Sequence, residues 1–228
     1  MVYYERNLPH YLPEGYAYFI TTRLAGTIPK VIYEKIKREY EQGLEMISSL
    51  KNNKIQRNKY HELQRINFTK YENILDDCKY GHKWLGENRI AQIVNDALHY
   101  YDGKRYDLIS FTIMPNHIHL VLFPIVERKS SFAQSKGKDI DSQNESGDSF
   151  YILSKIMQDI KKYTSREANK ILKRKGKFWQ HESYDHVVRD QKELRRIVKY
   201  ILNNPVKAGL CEDIDEWEWN YFNPKYLA

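Results

Sequence analysis

The 228-residue sequence predicts an α+β fold in which an antiparallel sheet is flanked by helices. Segments rich in β-branched and aromatic residues alternate with segments whose apolar residues recur every three or four positions. Met114-Pro115-Asn116 separates two neighbouring strand-like segments by a short turn, which indicates a β-hairpin. We therefore expect one domain over residues 1–228, with a flexible polar insertion at about 130–149, where large apolar residues are few.

The elements are predicted from local patterns along the chain. Aromatic and β-branched runs indicate strands, Pro29 marks a helix start, and Asp190 with Glu193 forms a capping-box pattern before the last helix. In the first half of the chain we expect a strand at 16–24, a helix at 29–50, a loop at 51–59, a weaker helix before Gly81 and a helix at 88–100. In the second half we expect strands at 106–114 and 117–123, a helix at about 150–175, a strand at 178–188, and a helix from Asp190 that ends at Asn203-Asn204-Pro205.

The charge distribution points to a polyanionic partner. The chain has 37 Lys and Arg against 30 Asp and Glu, a net charge of +7. Residues 153–210 carry 15 basic and 6 acidic side chains, so we expect nucleic acid to bind there, although such residues also serve simply to solvate helices.

Several classes of protein are disfavoured by what the sequence contains. It has two cysteines, no membrane-length apolar run and no signal-peptide pattern, which argues against disulfide-rich, membrane and secreted proteins and indicates a cytoplasmic one.

His117 and His119 form the strongest local feature. Side chains alternate along a strand, so both imidazoles face the same side and can converge on one divalent metal. Two half-exposed or hydrogen-bonding histidines would be the structural alternative for an isolated pattern of this kind.

The helix that follows the polar insertion carries the second feature. Its apolar positions recur at steps of three and four, and Tyr163 and Glu167 fall on the same predicted stripe. A tyrosine there is ordinary in a core, but a buried carboxylate needs a metal or an ion-pair partner. Beside this stripe runs a row of cations that would hold a phosphodiester backbone and favour the phenolate: Lys161, Lys162, Arg166, Lys170 and Lys173. Trp179 or Tyr184 would offer an aromatic face on which bases stack, as would Phe178, for which a place in the core is the favoured interpretation.

Four segments together carry a resemblance to a known family. They are Pro115-Asn116-His117-Ile118-His119, the segment from Lys162 to Lys170, Gly176-Lys177-Phe178-Trp179-Gln180, and the segment from Tyr200 to Leu210. In this order the sequence resembles the REP-associated tyrosine transposases, members of the single-tyrosine HUH transposase superfamily, from about Leu8 to Tyr221. The early segment Phe19–Gly26 is similar to their first strand.

The resemblance implies a ferredoxin-like antiparallel sheet with flanking helices, the HUH transposase fold. It implies cleavage and rejoining of single-stranded DNA, at hairpin-forming repeats, through a 5′-phosphotyrosine intermediate that uses Mg²⁺ or Mn²⁺. Residue by residue, His117 and His119 match the metal-binding histidines and Tyr163 matches the nucleophile. Glu167 stands where the family has a polar third ligand, often Gln or Asn, and Asn169 is the reserve candidate. Members of the family occur as dimers and as monomers, and in a homodimer the tyrosine helix of one copy would lie in the site of the other. The resemblance also implies action on nucleoid DNA in the cytoplasm of a prokaryote.

Two other functions remain open at this point. One is a non-catalytic, host-recruited nucleic-acid-binding protein on the same fold, which would bind DNA without forming an adduct. The other is a metal-dependent hydrolase that uses the histidine pair without a tyrosine and keeps cleaving after Tyr163→Phe.

Overall fold

A computed structural model describes residues 15–125 and 145–226. Its main elements are β1 (Ala17–Arg23), α1 (Lys30–Ser48), α2 (Asn53–Asp76), α3 (Asn88–Tyr100), β2 (Tyr106–Ile113), β3 (His117–Pro124), α4 (Glu145–Ile171), β4 (Tyr184–Val188), α5 (Gln191–Lys207) and β5 (Asn220–Phe222). Short 3₁₀ turns lie at Trp84–Gly86, Ile214–Glu216 and Pro224–Tyr226.

The five strands form one antiparallel sheet in the order β4-β1-β3-β2-β5. The predicted hairpin is present, since β2 pairs with β3 and the Met114 N–H donates to the His117 carbonyl at 2.9 Å. The central strand β3 lies between β1 and β2, so its residues are buried on both faces. The predicted α+β class, an antiparallel sheet with flanking helices, is confirmed.

The two faces of the sheet are covered by different helices. On one face, alternate residues of β3 such as Ile118 and Leu120 pack with Ile90 and Val94 of α3 and Ile156 of α4. On the other face, Phe19 of β1 and Val121 of β3 pack against Leu194, Val198 and Ile201 of α5, with Phe68 of α2 at the margin. His117 and His119 alternate with Ile118 and Leu120, so they lie on the α5 and α2 face.

Helices α1 and α2 form a helical hairpin inserted between β1 and the Trp84 turn. The expected loop at 51–59 is wrong, because the Asn52 side chain accepts hydrogen bonds from the Lys54 and Ile55 N–H groups and starts α2 at Asn53. The hairpin returns to the sheet where Gly81, at φ +74°, packs against Gly26 and Thr27.

Three further boundaries differ from those expected. Residues 145–149 belong to α4, whereas the rest of the predicted insertion lies outside the described residues. The strand expected at 178–188 is shorter and covers only Tyr184–Val188, while Trp179 makes an isolated bridge to Leu24. Helix α5 continues past Pro205 to Lys207.

Within the described part of the chain, no helix combines the length and apolarity needed to cross a bilayer.

Candidate metal centre

The histidine pair lies where three strands meet in register. Thr21 of β1 stands opposite His119 of β3 on one side and Tyr184 of β4 on the other. Arg23 stands opposite His117 in the same ladder. Directly paired residues of an antiparallel ladder point to the same face. Both histidines are fully buried, which is unusual for a polar pair and requires that their nitrogen atoms have partners.

Hydrogen bonds turn the two rings toward each other. Nδ1 of His117 is 2.6 Å from Asn116 Oδ1, while the Asn116 amide nitrogen donates to the Leu75 carbonyl at 3.2 Å. His117 therefore donates from Nδ1 and keeps a lone pair on Nε2. Nδ1 of His119 is 2.8 Å from Thr21 Oγ1, and the two Nε2 atoms are 3.0 Å apart. Metal-binding histidines are held in this manner, through the nitrogen that does not face the metal.

Two carboxylates of α2 close the site. Glu72 Oε2 lies 3.1 Å from His119 Nε2, and Asp76 Oδ1 lies 3.9 Å from His117 Nε2. Both carboxylates are buried. Because they are four residues apart, they lie on the same face of α2.

Helix α5 holds these carboxylates from the other side. The Tyr200 hydroxyl donates a hydrogen bond to Glu72, and its ring centroid is 5.5 Å from that of His119. Lys207 Nζ contacts Asp76 Oδ2 at 2.6 Å. Asp76 Oδ1 has no hydrogen-bond partner among the described residues. A buried carboxylate oxygen without a partner costs free energy, and a cation beside the histidines would supply that partner.

Burial sets the protonation of the pair. It lowers the pKa of His117 to about 3 and the pKa of His119 well below its usual value, since the charged imidazolium is poorly solvated there. Burial also raises the pKa of Glu72 to about 8, against the opposing hydrogen bond from Tyr200. Both histidines are therefore neutral at pH 7, which is the form that binds metals.

The residues fit a divalent metal ion. One ligand atom each from Asp76, His117 and His119 lies within 4.8 Å of the others. Two nitrogen ligands bound at roughly 2.1 Å to one metal are roughly 3–3.4 Å apart, which agrees with the separation of the Nε2 atoms. Two imidazoles and a carboxylate suit first-row divalent metals such as Mn²⁺.

A small cavity adjoins this centre at the β4 edge of the sheet. Its volume is about 80 Å³, and Thr21, Glu72, Arg23, Tyr71 and Tyr184 are among the residues that line it. The Tyr184 ring stacks on Phe68 with centroids 4.0 Å apart, and burial raises the pKa of its hydroxyl. Since Tyr184 shares a register row with Thr21 and His119, its side chain lies on the same face as the histidines.

The structure does not bring Tyr163 or Glu167 to the histidine pair of their own chain. Helix α4 packs on the opposite face of the sheet, and its buried stripe runs through Ile160, Thr164 and Ala168. The expectation that Tyr163 and Glu167 lie on the apolar stripe is therefore wrong. Tyr163 is 46% exposed.

The ion-pair partners that were the alternative to a metal for the Glu167 carboxylate are present at the surface. It contacts Arg166 at 2.7 Å and Lys170 at 2.9 Å, and hydrogen bonds from Lys170 and Arg166 hold its pKa below the usual value. The reserve candidate Asn169 bonds Gly176 and Arg174 at the end of α4.

The predicted DNA-binding residues divide into two groups. Trp179 is 6% exposed and donates from Nε1 to Thr164 Oγ1 at 2.8 Å, so its expected role as a stacking surface is wrong. Lys161 contacts the Gln180 and His181 carbonyls and the Ser183 hydroxyl, and so fastens the segment before β4. The remaining cations are exposed along one side of α4 and its end: Lys162, Arg166, Lys170 and Lys173.

Sequence reasoning missed the α2 carboxylates and the α5 residues that hold them. The four-residue spacing of Glu72 and Asp76 in an otherwise weak helical pattern was the available signal. Tyr200 and Lys207 lay inside a segment used for the family resemblance, but nothing local indicated that they meet α2.

Comparisons with known proteins bear on this geometry. No family model matches the chain. A putative REP-associated tyrosine transposase of Haemophilus influenzae (strain ATCC 51907 / DSM 11121 / KW20 / Rd) is 27% identical over 120 residues, which are 52% of this chain and 60% of that relative. The match thus spans less than two thirds of that relative's length. An uncharacterized protein of the same strain is 26% identical over 141 residues, 57% of this chain and 74% of its own.

A solved structure of a REP-associated tyrosine transposase bound to a REP hairpin superposes with a TM-score of 0.48 at 17% identity, covering 96% of this chain and 82% of that chain. The sequence match confirms the resemblance of this chain to the REP-associated tyrosine transposases.

Proposed function

We propose that this protein is a metal-dependent transposase that cleaves and rejoins single-stranded DNA at hairpin-forming repeats. One observation carries the proposal: a fully buried, neutral histidine pair with its Nε2 atoms 3.0 Å apart, in a chain similar to a tyrosine transposase. The pair lies beside Asp76 Oδ1, a buried carboxylate oxygen that has no hydrogen-bond partner within the described residues. The proposed place of action is nucleoid DNA in the cytoplasm of a prokaryotic cell.

His117, His119 and a carboxylate would hold Mg²⁺ or Mn²⁺. When bound, the ion would polarise a non-bridging oxygen of the scissile phosphate and neutralise charge that develops in the transition state. Asn116 and Thr21 fix the imidazole orientations through the Nδ1 atoms. The Arg23 guanidinium, opposite His117, lines the adjoining cavity and supplies a permanent positive charge for a phosphodiester.

A tyrosine hydroxyl attacks phosphorus in line, and the bond from phosphorus to the 3′-oxygen breaks. The 3′-hydroxyl leaves with a proton, and the 5′ end stays on the tyrosine, so rejoining to another 3′-hydroxyl needs no nucleotide cofactor. Within one chain, Tyr200 is the nearest candidate, because its hydroxyl donates to Glu72 and its ring centroid is 5.5 Å from that of His119. Tyr184 is the second candidate, because it lies on the histidine face and lines the cavity. The nucleophile implied by the resemblance, Tyr163, and the ligand Glu167 require a homodimer in which α4 of one copy serves the other.

Because both histidines are fully buried, we infer that the α1–α2 hairpin moves to admit DNA. The adjoining cavity, at about 80 Å³, has room for a few water molecules but not for a nucleotide. Strand entry therefore opens the space between the hairpin and the β1–β4 edge. The exposed cations of α4 would bind the duplex part of a hairpin or a flanking strand through phosphates.

The proposal is tested by covalent capture. Purified protein is mixed with labelled single-stranded hairpins from its flanking genome and with Mn²⁺, and the products are separated on a denaturing gel. We expect label at the size of the protein, lost with EDTA. Salt-sensitive binding without an adduct would instead indicate the host-recruited binding protein. Metal-dependent cleavage that persists when Tyr163, Tyr184 and Tyr200 are all phenylalanine would indicate a hydrolase.

A further inference from the structure

Asp76 is placed unlike any other acidic residue in the described ranges. Its Oδ2 atom is neutralised by Lys207, whereas its Oδ1 atom is buried, unpartnered among those residues and directed toward the histidine pair. Its neighbour Asp77 is exposed and pairs with Lys79 at 2.8 Å. Asp76 and Asp77 are adjacent in the sequence, but only Asp76 has a carboxylate oxygen beside His117 and His119.

The end of α2 that carries Asp76 is the anchored end of the helical hairpin. The Leu75 carbonyl accepts a hydrogen bond from Asn116, and Lys207 of α5 holds Asp76 itself. A few residues later Gly81 lies against Gly26, so both ends of the hairpin are tied at one place. The start of α2 at Asn53 lies about 35 Å along the helix from Asp76.

We propose that Asp76 is the third protein ligand of the divalent metal held by His117 and His119, so that metal binding clamps the base of the α1–α2 hairpin to the sheet. This assignment rests on the proposed function for the presence of a metal. It replaces Glu167, whose carboxylate is already bonded to Arg166 and Lys170 on the other face.

The experiment uses Mn²⁺ alone on the full chain, with manganese affinity measured by electron paramagnetic resonance and amide exchange measured by mass spectrometry. In the wild type, Mn²⁺ should slow exchange at least tenfold in peptides that cover the last turns of α2, with little change near residues 53–60. Asp76→Asn should lose that protection and bind Mn²⁺ at least tenfold more weakly. Asp77→Asn is the matched control, and it should behave as the wild type.

Two further variants keep the proposal testable if Asp76→Asn does not fold. His117→Ala, on β3, should abolish the manganese-induced protection of α2, because the clamp needs ligands from both elements. Glu167→Gln should leave affinity and protection unchanged. Unchanged manganese affinity in Asp76→Asn, manganese binding without protection of α2, or loss of affinity in Glu167→Gln would each overturn the proposal. Adduct formation by the wild type is measured separately, so failure of the clamp and failure of the transposase function are distinguishable.

Discussion

Trp179 donates a hydrogen bond from Nε1 to the hydroxyl of Thr164 at 2.8 Å, and this bond joins the segment before β4 to the buried side of α4. Thr164 in turn donates to the Ile160 carbonyl at 2.8 Å. Because Thr164 faces inward, its neighbour Tyr163 faces solvent. The orientation of α4 thus decides which tyrosines can meet the histidine pair of the same chain.

The first prediction concerns the tyrosine that becomes attached to DNA. We expect peptide mapping of the adduct by mass spectrometry to find the nucleotide on Tyr200, which contacts Glu72 and lies beside His119. Tyr200→Phe should lower adduct formation at least 100-fold, whereas Tyr163→Phe and Tyr184→Phe should each lower it less than threefold. An adduct on Tyr163, restored by mixing Tyr163→Phe protein with a His119→Ala partner, would show that the site is shared between two copies instead.

A second prediction separates the cations of α4. Lys162→Ala and Lys173→Ala should each weaken binding to a DNA hairpin about two- to fivefold and reduce the salt dependence by roughly one released ion, since both side chains are exposed. Lys161→Ala should mainly lower the melting temperature, because its ammonium group holds oxygen atoms of Gln180, His181 and Ser183. Lys51→Ala, on an exposed loop, is the control, and an equal loss in that variant would argue against α4 as the DNA surface.

The join between the two ends of the helical hairpin gives a third prediction. A Cβ atom on Gly81 would lie 2.7 Å from the Gly26 carbonyl oxygen and from Thr27 Cα, at a backbone φ of +74°. Gly209 has a similar φ of +68° but open space around it. Urea denaturation should therefore show a loss of about 1 kcal/mol for Gly209→Ala, and a loss about 2 kcal/mol larger for Gly81→Ala. Equal losses would mean that the contact with Gly26 does not constrain the hairpin.

Glu193 gives a prediction with a definite pH dependence. Burial alone would raise its pKa, but hydrogen bonds from the Arg189 N–H and from His186 lower it below the usual 4.5. A lowered folded-state pKa stabilises the protein above pH 4.5, and this stability is lost as the pH falls through the folded value. We expect Glu193→Gln to lower the free energy of unfolding by about 1 kcal/mol at pH 7, and less below pH 4.5.

The control for that experiment is Glu218→Gln, since Glu218 is exposed. A penalty for Glu193→Gln that stays constant from pH 7 to pH 4 would contradict the role assigned to its charge. Because Glu193 joins β4 to α5, a loosened contact there should also increase amide exchange in Tyr184–Val188.

The sequence was most informative where one short segment determines its own geometry. The hairpin at Pro115 and the shared face of His117 and His119 follow from strand alternation, which depends on local backbone geometry. The α+β class follows from the same periodicities. Helix α3 and the core residues of α5 were likewise predictable, since their apolar positions repeat strictly.

Contacts between distant segments were not predictable from pattern. The helical pattern of α4 allows either Tyr163 or Thr164 to face the core, since the two are adjacent. The hydrogen bond from Trp179 shows that Thr164 is the inward residue. The position of α2 over the histidines depends on Glu72 and Asp76 meeting Tyr200 and Lys207, which are more than 120 residues away in the sequence. No periodicity within either helix specifies that pairing.

The central claim is that the buried histidine pair is the metal centre for DNA strand cleavage. The most direct measurement is the single-turnover rate of adduct formation on a labelled DNA hairpin with saturating Mn²⁺, in the wild type and in His119→Ala. We predict that the wild type forms the adduct and that His119→Ala is at least 100-fold slower while it still binds the hairpin. An unchanged rate in a folded His119→Ala protein would contradict the account.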